Sequence, residues 1–140
     1  METEQRNKQL AAAFFERISA GDLDGVLAML SEDASWWIAG KPERLPMAGL
    51  YAKPRVAKLL RAMQGGLRGH LKMTLLAAIA EGDKVAAEVR GAGELANGRS
   101  YRQEFHFLLA FREGSIVAVR EYLDTQHAHD VWVKADESAA

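Results

Sequence analysis

One carboxylate stands where a carboxylate is costly. Val119-Arg120-Glu121-Tyr122-Leu123 alternates like a β-strand, and in a strand Val117, Val119, Glu121 and Leu123 fall on one face. Three of those four are aliphatic. A carboxyl among them loses hydration, which favours its neutral form and raises its pKa. A carboxyl tuned toward neutrality can give and take protons. Glu121 is therefore the candidate catalytic acid or base. The competing account is a charge paired with Arg90 or Arg120.

The preceding alternating run adds polar partners. Tyr101, Gln103, Phe105, Phe107, Leu109 and Phe111 share one face, polar at its start and greasy at its end. Tyr101 and Gln103 have the hydrogen-bonding groups to orient a ligand, and Phe105 and Phe107 would wall it. Arg102, Glu104, His106, Leu108 and Ala110 take the opposite face, with Glu88, Arg90 and Arg120 beside them in cross-strand pairs. Of the adjacent Trp36 and Trp37, alternation with Ile38 turns Trp36 inward.

Other chemistries are poorly represented. The chain has no cysteine, which removes thiol nucleophiles, disulfides and zinc–thiolate sites. His127-Ala128-His129-Asp130 brings two histidines to one metal only on an extended strand, and no third ligand is near except Asp130, so no metal is expected. No glycine-rich nucleotide loop or Ser-His-Asp spacing stands out, and no cofactor is expected.

The elements that position these residues are legible. Leu10, Ala11, Phe14, Phe15 and Ile18 recur at helical spacing. Gly21 suits a helix C-terminus and Asp22 an N-cap, so residues 4–31 read as a helical hairpin. Residues 34–38 read as a strand and 40–53 as a loop. Pro54 opens a third helix carrying Val56, Leu59, Leu60 and Met63. Strands are expected at about 70–80, 84–95, 100–112 and 115–124. Their turns are Glu81-Gly82-Asp83, Asn97-Gly98 and Glu113-Gly114, and Asn-Gly is a strong hairpin signal. Helices first and strands last is an α+β pattern, with three N-terminal helices on a curved antiparallel sheet forming a cone around an apolar cavity.

The chain has 140 residues, 49% apolar and 26% charged, which suits one domain over 1–140. The ordered core is expected at about 5–130, with fraying from 126 and a flexible tail at 131–140. Lysine plus arginine number 18 against 19 aspartate plus glutamate, without the basic excess of a nucleic-acid binder. The start is acidic and polar, unlike a signal peptide, and no run is apolar enough to span a membrane. The expected setting is cytoplasmic.

Ile18-Ser19-Ala20-Gly21-Asp22-Leu23-Asp24-Gly25-Val26-Leu27 resembles the junction of the first two helices in the superfamily of ketosteroid isomerases and nuclear-transport-factor-2-like proteins. Ser31-Glu32-Asp33-Ala34 is similar to its lead into the first strand. Asn97-Gly98-Arg99-Ser100-Tyr101, Phe111-Arg112-Glu113-Gly114-Ser115-Ile116 and Arg120-Glu121-Tyr122-Leu123-Asp124-Thr125 resemble its SnoaL-like branch. The resemblance implies the cone fold over roughly residues 8–130. It also implies a small apolar or polycyclic ligand and a homodimer formed through the outer sheet face, with His106, Leu108, Ala110 and Tyr122. Ketosteroid isomerases use a base, a tyrosine and a protonated acid. On that pattern Ile38, Phe14 and Phe107 stand in the three places, so steroid isomerisation is not expected. In epoxide-hydrolase-like and cyclase relatives a working acid lies on the last strand, and Glu121 falls on it. The hydrolases' Arg-x-Asp is not reproduced, as Val89-Arg90-Gly91 stands there. The implied activity is that of a cofactor-free isomerase, cyclase, lyase or hydrolase. Glu121 would be the acid or base, and Phe14, Trp36, Ile38, Tyr101, Gln103, Phe105, Phe107, Val119 and Leu123 would be around the ligand. The alternative is a non-catalytic ligand-binding or dimeric assembly module of the same fold.

Overall fold

The computed structural model describes residues 2–134. The chain begins with α1 (Glu2–Ser19) and α2 (Leu23–Met29), followed by β1 (Leu30–Ile38), β2 (Gly49–Ala52) and α3 (Lys53–Gly65). Four long strands come next: β3 (Leu67–Glu81), β4 (Lys84–Leu95), β5 (Ser100–Arg112) and β6 (Ser115–Leu123). A short helix, α4 (Thr125–Ala128), leads into a π-helical segment, His129–Val133.

The helical hairpin closes as its residues dictate. Gly21 takes a φ of +71°. The Gly21 N–H then reaches the Ile18 carbonyl at 3.0 Å and the Asp22 N–H the Arg17 carbonyl at 2.9 Å, the paired bonds of a Schellman cap. The Asp22 side chain in turn accepts the Gly25 N–H at 2.9 Å and starts α2. Helix α1 buries Ala11, Phe14, Phe15 and Ile18, one stripe of a 3.6-residue period, and it packs chiefly on β3.

The strands form one six-stranded sheet in the order β2-β1-β6-β5-β4-β3. The meander from β3 to β6 is antiparallel as expected. The sheet as a whole is mixed, because β1 runs parallel to β6. This corrects the antiparallel expectation. The long excursion through α3 and the meander gives the chain room to return in the same direction. The loop expected over 40–53 also contains β2, which pairs with β1 from Ser35↔Ala52 to Ile38↔Gly49.

The larger correction lies after β6. Residues from 126 were expected to fray, yet α4 and the π-helical segment pack back on the cone, with Ala128 and Val131 buried. Arg99 Nη1 donates to the carbonyl oxygens of Asp130, Val131 and Lys134 at 3.1, 3.3 and 2.8 Å. One guanidinium thereby satisfies carbonyls that the end of a helix leaves without partners. Of the tail expected to be flexible over 131–140, the part at 135–140 lies outside the described residues. Among the described residues, no helix is long and apolar enough to cross a membrane.

Candidate active site

The concave face of the sheet, α3 and the C-terminal segment enclose a cavity of about 240 Å³. From the sheet, Trp36 and Ile38 of β1, Leu71 and Met73 of β3, and Tyr101, Phe105 and Phe107 of β5 face it. Glu121 and Leu123 enter from β6. Leu59, Leu60 and Met63 of α3 close one side, Met47 and Ile18 add to the wall, and Trp132 closes the end.

Glu121 reaches the cavity because β6 lies between β1 and β5, paired with Ile38 on one side and Phe107 on the other. The parallel pairing puts Trp36 near enough for its indole N–H to donate to Glu121 Oε1 at 3.0 Å. Oε2 is left to the cavity. Among the described residues no cation reaches the carboxyl: Arg90 pairs with Glu104 at 3.1 Å on the outer face, and the Arg120 guanidinium lies 4.1 Å over the Trp37 ring. Glu121 is half-buried and lines the cavity. Burial pushes its carboxyl from an ordinary 4.5 up to about 7, with the Trp36 N–H pulling the other way. Desolvation wins because the one partner is neutral.

Val117 does not share the face of Glu121. The β5–β6 register shifts between Ala110↔Ala118 and Phe111↔Ile116, so Val117 is the extra residue of a β-bulge and Ile116 takes the buried position. From Val119 onward the expected alternation holds.

Tyr101 faces the cavity and is 4% exposed. Its ring stacks on His127 at 5.4 Å and meets Trp132 edge-on at 5.7 Å. Burial raises its phenol pKa well above the usual value, so it remains a neutral O–H. Gln103 is fully buried and does not line the cavity. Its Nε2 donates to the Tyr101 hydroxyl at 3.1 Å and to the Asp124 carbonyl at 3.0 Å. Its Oε1 accepts the backbone N–H of Glu104 at 2.9 Å and of Asp124 at 2.8 Å. Gln103 therefore holds Tyr101 and the turn into α4 rather than a ligand.

Two further residues stand one layer back. Phe14 is wholly buried, its ring 5.6 Å from that of Trp36, and Val119 is buried behind the wall. Both support Trp36 and Glu121 without lining the cavity. Trp36, Ile38, Tyr101, Phe105, Phe107 and Leu123 do line it. Sequence reasoning also missed several lining residues, Met47, Leu71, Met73 and those of α3 among them, and Trp132 is the one in the segment expected to fray. The signal was Ala128, Val131 and Trp132, spaced as one helical face in an otherwise polar tail. Nearby, His127 Nε2 accepts the Arg102 N–H at 2.9 Å. His127 lies in α4 and His129 opens the π-helical segment, so neither is on a strand. Among the described residues no three metal-ligating side chains cluster.

No curated protein matches the chain in sequence. Solved structures match its fold closely. A nuclear-transport-factor-2-like protein of unknown function from Burkholderia pseudomallei is 21% identical, with a TM-score of 0.81 over 92% of this chain and 98% of that one. An epoxide hydrolase from M. tuberculosis, of the LEH-like kind, is 22% identical, with a TM-score of 0.72 over 92% and 88%. TerC, crystallised with polyporic acid, is 17% identical, with a TM-score of 0.78 over 90% and 97%. At these identities the likeness is one of fold. The family model of the SnoaL-like domain matches residues 11–119. With that match over most of its length, the chain belongs to the SnoaL-like family.

Proposed function

We propose that the protein is a cofactor-independent enzyme in which Glu121 acts as general acid or base on a small apolar molecule. The observation that carries this is a carboxyl in a largely apolar cavity, held by one neutral donor, with one oxygen free. With its pKa pushed to about 7, it supplies both a proton donor and a proton acceptor near neutrality. The neutral acid protonates an oxygen of the substrate, or the carboxylate takes a proton from carbon or water. An isomerisation, cyclisation, elimination or hydration needs no more than such transfers. An engineered cavity of about 150 Å³ holds benzene. A cavity of about 240 Å³ therefore suits one or two rings.

The test is a panel of one- and two-ring epoxides, enones and β-hydroxy ketones, followed by chromatography with mass spectrometry, which also separates isomers of equal mass. Where turnover is found, Glu121→Gln should reduce kcat by about 10²–10⁴-fold without loss of fold. Undiminished turnover in the variant removes Glu121 from the chemistry. The second reading, a non-catalytic ligand-binding protein, is favoured by Ile38 and Phe107 in the cavity where the isomerases place polar groups. Binding of panel members without turnover of any would select it.

A further inference from the structure

The amide of Gln103 fixes what Tyr101 can do. Its oxygen faces two backbone N–H groups, those of Glu104 and Asp124, and its nitrogen faces the Tyr101 hydroxyl and the Asp124 carbonyl. Turned over, it would set an NH₂ against two N–H donors. The orientation therefore follows from the network. All four hydrogen-bonding positions of the amide are used. The Tyr101 oxygen is consequently an acceptor toward Gln103, and its own proton must go elsewhere. No described residue accepts it. A buried O–H without an acceptor costs free energy, and Tyr101 lines the cavity.

We propose that the cavity is built for an apolar ligand bearing a carbonyl oxygen, which accepts the hydrogen bond of Tyr101 at the end closed by Trp132. The proposal rests on the cavity being the ligand site, as argued above. The required group is an acceptor without a proton of its own. An alcohol would bring an O–H of its own, and the carboxyl lining the same cavity belongs to Glu121, paired with Phe107 farther along β5. Tyr101 opens β5, whereas Glu121 is paired with Phe107 farther along. The oxygen anchor and the proton-transfer group thus come from different places along the sheet while facing one cavity, close enough to interact electrostatically, and the anchor sets which end of the ligand Glu121 meets. The Gln103 amide also joins the anchor to the turn that starts α4, so anchor and end wall form one hydrogen-bonded unit.

The test compares 1-indanone with indane, two-ring probes that differ by the carbonyl, using tryptophan fluorescence and the infrared carbonyl band of bound indanone. The protein should bind 1-indanone, and Tyr101→Phe should weaken that binding about threefold to tenfold, the range of one net hydrogen bond. The carbonyl band should move to higher wavenumber in this variant while indane affinity stays unchanged. Gln103→Glu, similar in shape but unable to donate as a carboxylate, should draw the Tyr101 proton to itself and shift the band as Tyr101→Phe does. If it does not fold, the Tyr101→Phe comparison decides alone. Equal affinities of both probes with an unmoved band in Tyr101→Phe would overturn the anchor and leave the cavity reading intact. Failure of both probes to bind would overturn the anchor together with the cavity reading.

Discussion

Replacing Glu121 with glutamine should make the protein more stable at alkaline pH, whatever its effect on activity. The native carboxyl has a pKa pushed from 4.5 up to about 7 by burial. A folded-state pKa above the unfolded one means that the native chain keeps its proton longer. The stability tied to that proton is intact below about pH 4.5 and is lost as pH rises through about 7. The interval, at about 1.4 kcal/mol per pH unit, comes to about 3 kcal/mol. This is a ceiling, since the carboxyl edge that faces the cavity keeps part of its hydration. Glutamine has nearly the same shape and still offers an oxygen to the Trp36 N–H, so the gain isolates the charge. Urea unfolding of both proteins at pH 5 and pH 8 checks it. The variant should gain up to about 3 kcal/mol at pH 8 and about 1 kcal/mol or less at pH 5. Equal stability at pH 8, or a gain independent of pH, would mean that the carboxylate is solvated or paired, and the argument from desolvation would fail.

Three further outcomes are expected. Trp36→Phe removes the N–H that stabilises the charged carboxylate, so the Glu121 pKa should rise further; a ¹³C titration of labelled glutamate reads this, and a fall would contradict it. Gly91→Ala would place a Cβ 2.7 Å from the Phe105 ring and 3.3 Å from Met73 Sδ. The ring should be driven toward the cavity at a cost of about 1–3 kcal/mol, seen as a lower urea midpoint and weaker binding of two-ring probes. On the outer sheet face, Tyr122 is 41% exposed beside Trp37, and Leu108 stands between Ala86 and Arg120. A two-fold pairing of this face predicts a dimer of about twice 15.4 kDa, converted to monomer by Leu108→Asp; light scattering that gives a monomer for the unaltered protein would refute it.

Local signals carried most of the architecture. Gly21-Asp22 specified a cap and a restart, and Asn97-Gly98 a hairpin; the period-two pattern of β5 set its inward face from Tyr101 to Phe111. These features are decided by residues close in sequence. What the sequence hid depends on distant partners. β2 has four residues and is extended only because β1 is beside it. The bulge at Val117 appears only when β5 and β6 are laid together. Gln103 has the same alternation as Tyr101, and only its four hydrogen bonds show that it faces backbone rather than ligand. Val131 and Trp132 follow a polar stretch, and their burial depends on Gly66, where a Cβ would come within 3.0 Å of the Trp132 ring.

The position of β6 between β1 and β5 has a consequence for how the protein is made. Strands β1 and β2 leave the ribosome early, and β3 to β5 follow, yet the two groups share no edge until β6 exists. The emerging chain therefore exposes unpaired borders on β1 and β5, the kind of border that recruits other chains. Joining them late in the sequence brings together residues as distant as Trp36 and Glu121, separated by 85 positions. Long-range pairing of this kind slows folding. Substitutions that weaken β6 should then appear first as aggregation during synthesis, before any loss of activity in the molecules that do fold.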